Sequence, residues 1–255
     1  MGFEIGTADG AWGPKSCTGL ILYQFYKWPN NRANITGEFN QMTKDALAAD
    51  YAAGITYSKV MAGIKGKKVE RYLGYYDYKY NGKMPADGVS TVVPTSSNEK
   101  TRAATEMGIA WAKMYDAALR DSTMNKSSAL MGKLLIQGTR SAYRLHEDQA
   151  YFYCVDYNHN TTYSAYPGTS NHGWGYAIDI AISAQSGDKS KPQSGNDKTA
   201  FDWIAKNIES FGMMRYSAEA WHYDVREVRS SGSDGVNPTG TRPVRGNCPR
   251  CGKKP

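Results

Sequence analysis

The stretch Ser170-Asn171-His172-Gly173-Trp174-Gly175-Tyr176-Ala177-Ile178-Asp179-Ile180-Ala181-Ile182 decides how this chain is read. From Tyr176 onward the residues alternate in the strand period. Tyr176, Ile178, Ile180 and Ile182 share one face, and Ala177, Asp179 and Ala181 share the other. A carboxylate between two alanines on an Ile-rich strand is costly to bury unless it is paired or holds a cation. Seven residues earlier, His172 lies in a Gly-rich turn able to fold back over the strand. Taken alone, His172 reads as a hydrogen-bonded structural histidine and Asp179 as a cap or ion-pair partner.

A second cluster changes that balance. Glu219-Ala220-Trp221-His222 sets a carboxylate three residues ahead of an imidazole. A histidine so placed can ligate a metal while the Glu reaches a water beside it, the same logic as H-E-x-x-H on a helix. The chain has only four His, and two of them fall in such settings. Three N/O ligands, His172, Asp179 and His222, with an open fourth position describe a catalytic rather than a structural zinc (Zn2+).

Ser170-x-His172-x-x-Gly175-x-Ala177-x-Asp179 followed by Glu219-x-Trp221-His222 resembles the S-x-H-x-x-G-x-A-x-D and E-x-W-H signature of the D-Ala-D-Ala carboxypeptidase family of zinc peptidases. That family includes phage L-alanyl-D-glutamate endopeptidases and is related to the vancomycin-resistance dipeptidases. The run from Pro167 to Gly175 is similar to its actinobacterial and actinophage branch. The likeness spans about residues 95–228. It implies an α+β fold, a small antiparallel sheet flanked by helices, as in D-Ala-D-Ala peptidases and hedgehog-like proteins. It also implies zinc on His172, Asp179 and His222, with Glu219 as general base and acid. Ser141-x-Tyr143-Arg144 and Gln149 fit the family's S-x-Y-R-x4-Q element, although Leu145-His146 replace its usual Ser-Tyr. The resemblance therefore gives Arg144 the substrate carbonyl oxygen or carboxylate, with Arg140 as the alternative. It makes Gln149, Ser170 and Trp221 substrate contacts; His146 and His159 are bystanders.

Working outward, Thr101 to Arg120 has helical spacing through Ala104, Met107, Trp111, Met114, Tyr115 and Ala118. Leu134-Leu135-Ile136 reads as a short strand after Gly132-Lys133. Tyr72 to Tyr80 reads as an extended segment closing at an Asn81-Gly82 hairpin turn. Ser183 to Asp197 is a polar loop. Phe201, Ile204, Ile208 and Phe211 mark a helix stopped by Gly212, and Met213–Tyr216 and Trp221–Val225 read as strands.

At the other end, Asp9-Gly10-Ala11-Trp12-Gly13-Pro14-Lys15-Ser16 and Thr36-Gly37-Glu38-Phe39-Asn40-Gln41-Met42-Thr43 share a Gly, aromatic and hydroxyl order, each leading into a helix with Ser16 or Thr43 as N-cap. Over about residues 8–50 this resembles the small helical peptidoglycan-binding domain of cell-wall hydrolases. Asn40 and Met42 stand where that family has Gly and a Lys-like residue. The expected division is a helical domain over 1–66, a linker or extended segment over 67–94, the peptidase over 95–228 and a flexible tail over 229–255.

The bulk properties set the remaining bounds. Lys and Arg number 31 against 24 Asp and Glu, giving a formal charge of +7 that suits a polyanionic partner such as a cell wall. No aromatic-plus-basic nucleic-acid module accompanies it, and no apolar run approaches the ~18–20 residues of a membrane span. The 19 Tyr suit a groove that receives sugars or peptides. Four cysteines do not make a disulfide framework in a chain this long, and Cys248-Pro-Arg-Cys251 is half of a zinc ribbon or a pair of tail thiols. The expected partner is bacterial peptidoglycan, bound by a monomer. With no leader pattern at the first residues, the chain is expected to be made in a host cytoplasm and to reach the wall on release, as a phage endolysin. The alternatives are a bacterial D,D-carboxypeptidase and a non-catalytic zinc- or wall-binding protein. An intact Glu219 argues against the last.

Overall fold

The computed structural model describes residues 1–5, 11–67, 72–225, 238–247, 250 and 252. Three helices open the chain: α1 (Pro14–Lys27), α2 (Gln41–Ala52) and α3 (Tyr57–Ile64). A hairpin of β1 (Thr91–Pro94) and β2 (Lys100–Ala103) leads into the long helix α4 (Thr105–Arg120). Short helices α5 (Ser128–Gly132) and α6 (His146–Tyr151) precede a π-helical turn at Phe152–Asp156. Strand β3 (Ala177–Asp179), the small hairpin β4 (Ala184–Gln185) and β5 (Asp188–Pro192), helix α7 (Asn196–Asn207), and strands β6 (Met213–Arg215) and β7 (His222–Val225) complete it.

The central sheet is antiparallel, in the order β3-β7-β6. Both faces of β3 are covered: Tyr176, Ala177, Ile178, Ile180 and Ile182 are all buried. Each such Ile contributes about 1.5–3 kcal/mol on leaving water, so the register of β3 is strongly specified. Helix α4 packs on α1 and reaches β7, and the Trp111 indole N–H donates to the Leu134 carbonyl at 2.9 Å. One contiguous buried cluster holds Ile21, Leu22 and Phe25 of α1, Trp111 of α4 and Ile178 of β3. The α+β character, with small antiparallel sheets among helices, is as expected.

Several local expectations change. Lys100 to Ala103 is strand, because its alternate residues Thr101 and Ala103 are buried and it ladders onto β1; the helix therefore begins at Thr105. Leu134 to Ile136 forms no strand; Ile136 alone bridges Thr95 and Ile180. Tyr72 to Tyr80 coils into two 3-10 turns, since Tyr76 must bury against Trp174 and Tyr176. Asn81-Gly82 closes no hairpin. Instead the Asn81 amide donates to the Ser170 carbonyl at 2.7 Å, and the Gly82 N–H donates to Gly173. The polar loop after Ile182 contains the β4-β5 hairpin, turning at Gly187 with φ +82°. Ser16 and Thr43 are not N-caps: α1 is capped at Gly13 with Pro14 first in the helix, and Asn40 caps α2 by accepting from the Thr43 N–H. Buried Thr43 instead accepts from the Gln24 amide. The helix ending at Gly212 and the two strands after it are present as read.

Residues Tyr76, Met84 and Val89 of the segment read as a linker join the buried cluster. In the segment read as a tail, Thr239 pairs with the chain at Tyr76 and Tyr78. Cys17 is a buried free thiol and Cys154 is disulfide-bonded. The Cys248/Cys251 pair lies outside the described residues.

Candidate metal centre

Strand pairing builds the first half of the site. In the β3-β7 ladder Asp179 stands directly opposite His222, so a carboxylate and an imidazole 43 residues apart become cross-strand neighbours. His222 Nδ1 lies 2.9 Å from Asp179 Oδ1. The second half comes from the 3-10 turn Asn171–Trp174, which ends at Gly175 in the left-handed region with φ +70°. A Cβ at Gly175 would lie 2.7 Å from the Ala104 nitrogen, so glycine there lets the turn pack against the start of α4. This turn sets His172 Nε2 3.2 Å from His222 Nδ1 and 3.3 Å from Asp179 Oδ2.

Segment 141–144 threads between the two halves. Asp179 N–H donates to Ser141 O, and Arg144 N–H to His172 O. The His172 ring nitrogen Nδ1 faces Ala142 O at 2.9 Å. A carbonyl can only accept, so Nδ1 carries the hydrogen and the Nε2 lone pair points at Asp179 and His222. Among the described residues, His172, Asp179 and His222 are the one trio of His, Cys, Asp and Glu able to share a cation, their ligand atoms lying within 4.8 Å of one another. The nearest approaches are 2.9 Å from His222 Nδ1 to Asp179 Oδ1, 3.3 Å from His172 Nε2 to Asp179 Oδ2 and 3.2 Å between the two imidazoles, and two imidazole nitrogens with a carboxylate oxygen are a donor set that zinc takes. The donor set fits zinc.

Supporting groups hold the trio. On the side of His222 away from the trio, Nε2 meets Asp224 Oδ1 at 3.2 Å, and the same oxygen accepts from the Asn171 amide at 3.0 Å. Asp224 follows His222 by two residues, on the same strand face. The pattern is an imidazole between a cation site and a carboxylate, the usual way a ligating histidine is fixed.

Electrostatics follow the geometry. Burial works to raise the Asp179 carboxyl, but the two imidazoles overcome it and hold it well below its ordinary value. Burial lowers His172. His222 is pulled down by burial yet held well above its usual value by Asp224 and Asp179. Glu219, in the turn before β7 with Oε2 3.9 Å from His222 Nδ1, has its carboxyl raised chiefly by burial.

The remaining sequence candidates divide. Arg144 reaches the centre: its Nη2 donates to Asp179 Oδ2 at 3.3 Å, Nη1 to Gln149 Oε1 at 3.0 Å and Nε to Arg140 O at 2.9 Å, over the Phe152 ring. Arg140 stands farther out, near Asp148 and over the same ring. Gln149 is buried, with its amide nitrogen donating to Ser164 and Ala165, so it orients Arg144 from behind. Ser170 is buried and receives Asn81 through its carbonyl. Trp221 leans half-buried on the core, and its carbonyl accepts from Ile180. His146 and His159 stay outside the trio. Asp224, Asn171, Asn81 and Phe152 were missed; only Asp224 carried a signal, its two-residue spacing from His222.

Residues 116–226 match the family model described as VanY, D-alanyl-D-alanine carboxypeptidase. No curated protein matches the chain. Among solved structures the chain is similar to a mutant of the vancomycin-resistance D,D-pentapeptidase VanY from a VanB-type resistance cassette, in complex with Zn(II). That alignment has 23% identity, covers 56% of this chain and 82% of that one, and has a TM-score of 0.34.

Proposed function

We propose that the chain is a zinc-dependent peptidase that hydrolyses stem-peptide bonds of bacterial peptidoglycan. The observation that carries this reading is the convergence of His172 Nε2, Asp179 and His222 Nδ1 within reach of one cation, with the Glu219 carboxyl beside them. When bound there, zinc supplies Lewis acidity, lowering the pKa of water to about 7 and polarising a carbonyl.

The chain's own groups do the rest. Glu219 takes the proton of the attacking water and later returns it to the departing amine; a carboxyl raised by burial is suited to both directions. Arg144, fixed on three sides, presents its guanidinium next to Asp179 and steadies negative charge on the carbonyl oxygen. Asp224 and Ala142 O fix the two imidazoles so that each keeps one nitrogen toward the cation.

The matched family description favours the D-Ala-D-Ala bond as the first substrate, with the L-alanyl-D-glutamate bond second. Release of the chain onto the wall as a phage endolysin, with residues 1–66 as the wall-binding part, belongs to the same proposal and rests on the repeated turn pattern of the sequence. Digestion of purified walls, with and without chelator, followed by mass spectrometry of the muropeptides tests it. Chelator-sensitive loss of one D-Ala identifies a carboxypeptidase, and a new N-terminal D-Glu an endopeptidase. Unchanged muropeptides in the presence of zinc would refute the reading.

A further inference from the structure

On one side of the site the β4-β5 hairpin and the segment after the π-helical turn lean together through a single lysine. The Lys189 ammonium stands 4.2 Å from the centre of the Tyr163 ring and 5.2 Å from that of Tyr157. The two rings are 6.1 Å apart and tilted by 34°. The Lys189 carbonyl accepts from the Ala220 N–H at 2.9 Å, which ties the hairpin to the residue following Glu219. Lys189 is among the charges acting on Glu219, and Tyr157 feels both Glu219 and Arg144.

Among the described residues no carboxylate approaches the Lys189 ammonium within 4.0 Å, whereas its neighbour Lys191 pairs with Asp188 at 2.9 Å. Two aromatic faces hold the cation in place by its attraction to their electron-rich surfaces, yet leave an ammonium hydrogen for another acceptor. Arg144 already gives one hydrogen each from Nε, Nη1 and Nη2 to the chain, which fixes its guanidinium beside Asp179 and leaves its two remaining hydrogens for a carbonyl oxygen.

We propose that Lys189, clamped by Tyr157 and Tyr163, binds a free carboxylate on the residue whose amine is the leaving group. This rests on the peptidase reading above. Glu219 returns a proton to that amine, and an α-carboxylate is two bonds from the amine nitrogen, so its receptor must stand beside Glu219. Both candidate bonds present such a group: the terminal carboxylate of D-Ala-D-Ala, and the α-carboxylate of a D-Glu linked onward through its side chain. The division of labour is then plain, with Arg144 on the carbonyl side and Lys189 on the amine side.

The test compares a peptide ending in D-Ala-D-Ala with its C-terminal amide, and an L-alanyl-γ-D-glutamyl peptide with its isoglutamine form. Binding to zinc-loaded protein is measured by calorimetry, using Glu219→Gln so that the peptides are not cut, and hydrolysis is measured with Glu219 intact. The expected result is a preference for the acid of about 10–100-fold, the range of one charge-assisted hydrogen bond. Lys189→Met should collapse that preference to near unity through KM, Lys189→Arg should restore most of it, and Tyr163→Leu should weaken it. An acid preference unchanged in Lys189→Met, or equal binding of acid and amide by the parent, overturns the assignment. Absence of hydrolysis with Glu219 intact would overturn the peptidase reading instead, because the binding arm reads the subsite without turnover.

Discussion

Removing the Asp224 carboxylate should weaken zinc binding by an amount that depends on pH. The Asp224 oxygen receives both the His222 Nε2 hydrogen and the Asn171 amide, and the side chain is buried. Losing a carboxylate behind a ligating histidine costs about 10–100-fold in affinity, or ~1.4–2.7 kcal/mol. Asp224→Ala leaves two buried donors without that acceptor and belongs at the upper end. Asp224→Asn keeps an oxygen but loses the charge, so about tenfold is expected. A second effect opposes the first. Asp224 is the first of the groups that hold His222 above its ordinary value, so in the metal-free protein a proton occupies the imidazole that zinc needs. Removing Asp224 loosens this proton too, which at neutral pH offsets part of the loss. The full deficit should therefore emerge at alkaline pH, where His222 is neutral in both proteins, and shrink as pH falls. Competition with a chelator that buffers free zinc, repeated across pH, measures it. Equal affinities of parent and variant at alkaline pH would refute the arrangement.

Glu219→Gln should lower kcat by about 10²–10⁴-fold while leaving zinc affinity within a few-fold, because Glu219 stands 3.9 Å from His222 Nδ1, outside the trio; stopped hydrolysis assays and the same zinc competition check both halves. In the metal-free protein the stability of the site should fall at both ends of the pH scale. Asp179 is depressed, so its contribution is present above 3.8 and is lost as pH falls through its folded value. His222 is raised, so its contribution is complete below 6.5 and is lost as pH rises through its folded value. Thermal unfolding against pH, in chelator, shows whether stability declines on both sides; a curve still rising on the alkaline side would contradict the His222 assignment. Gly175→Ala should cost about 2 kcal/mol or more, combining a left-handed backbone with a Cβ 2.7 Å from the Ala104 nitrogen, as read from the urea midpoint.

The sequence made the candidate trio legible because each member sits in a local pattern with a physical reason. Asp179 is a carboxylate on an apolar strand, and His222 follows Glu219 at a spacing that lets both face one point. The β3 strand is readable from its Ile alternation, and Gly212 from its place after Phe211, where it closes the 3-10 turn Ile208–Phe211 that follows α7. What could not be read was set by distant partners. Lys100 to Ala103 is strand only because β1 lies beside it. Asn81-Gly82 looks like a hairpin turn in isolation, yet the Ser170 carbonyl captures the Asn81 amide across 89 residues. The inward partners of Gln149 are not legible in its motif: its amide donates to Ser164 and Ala165, and its Oε1 accepts from Arg144.

Metal binding at the trio and the protonation of its neighbours are linked. Asp179 is held well below its ordinary value and His222 well above it, while burial biases Glu219 toward its uncharged form. A dication held by the trio would take the place of a proton on His222 and bring positive charge beside Glu219. That charge would favour the carboxylate form of Glu219, which is the form a general base needs. Burial raises Glu219 and the two carboxylates raise His222, and a bound dication would push both the other way, toward the deprotonated forms that a base and a ligand require.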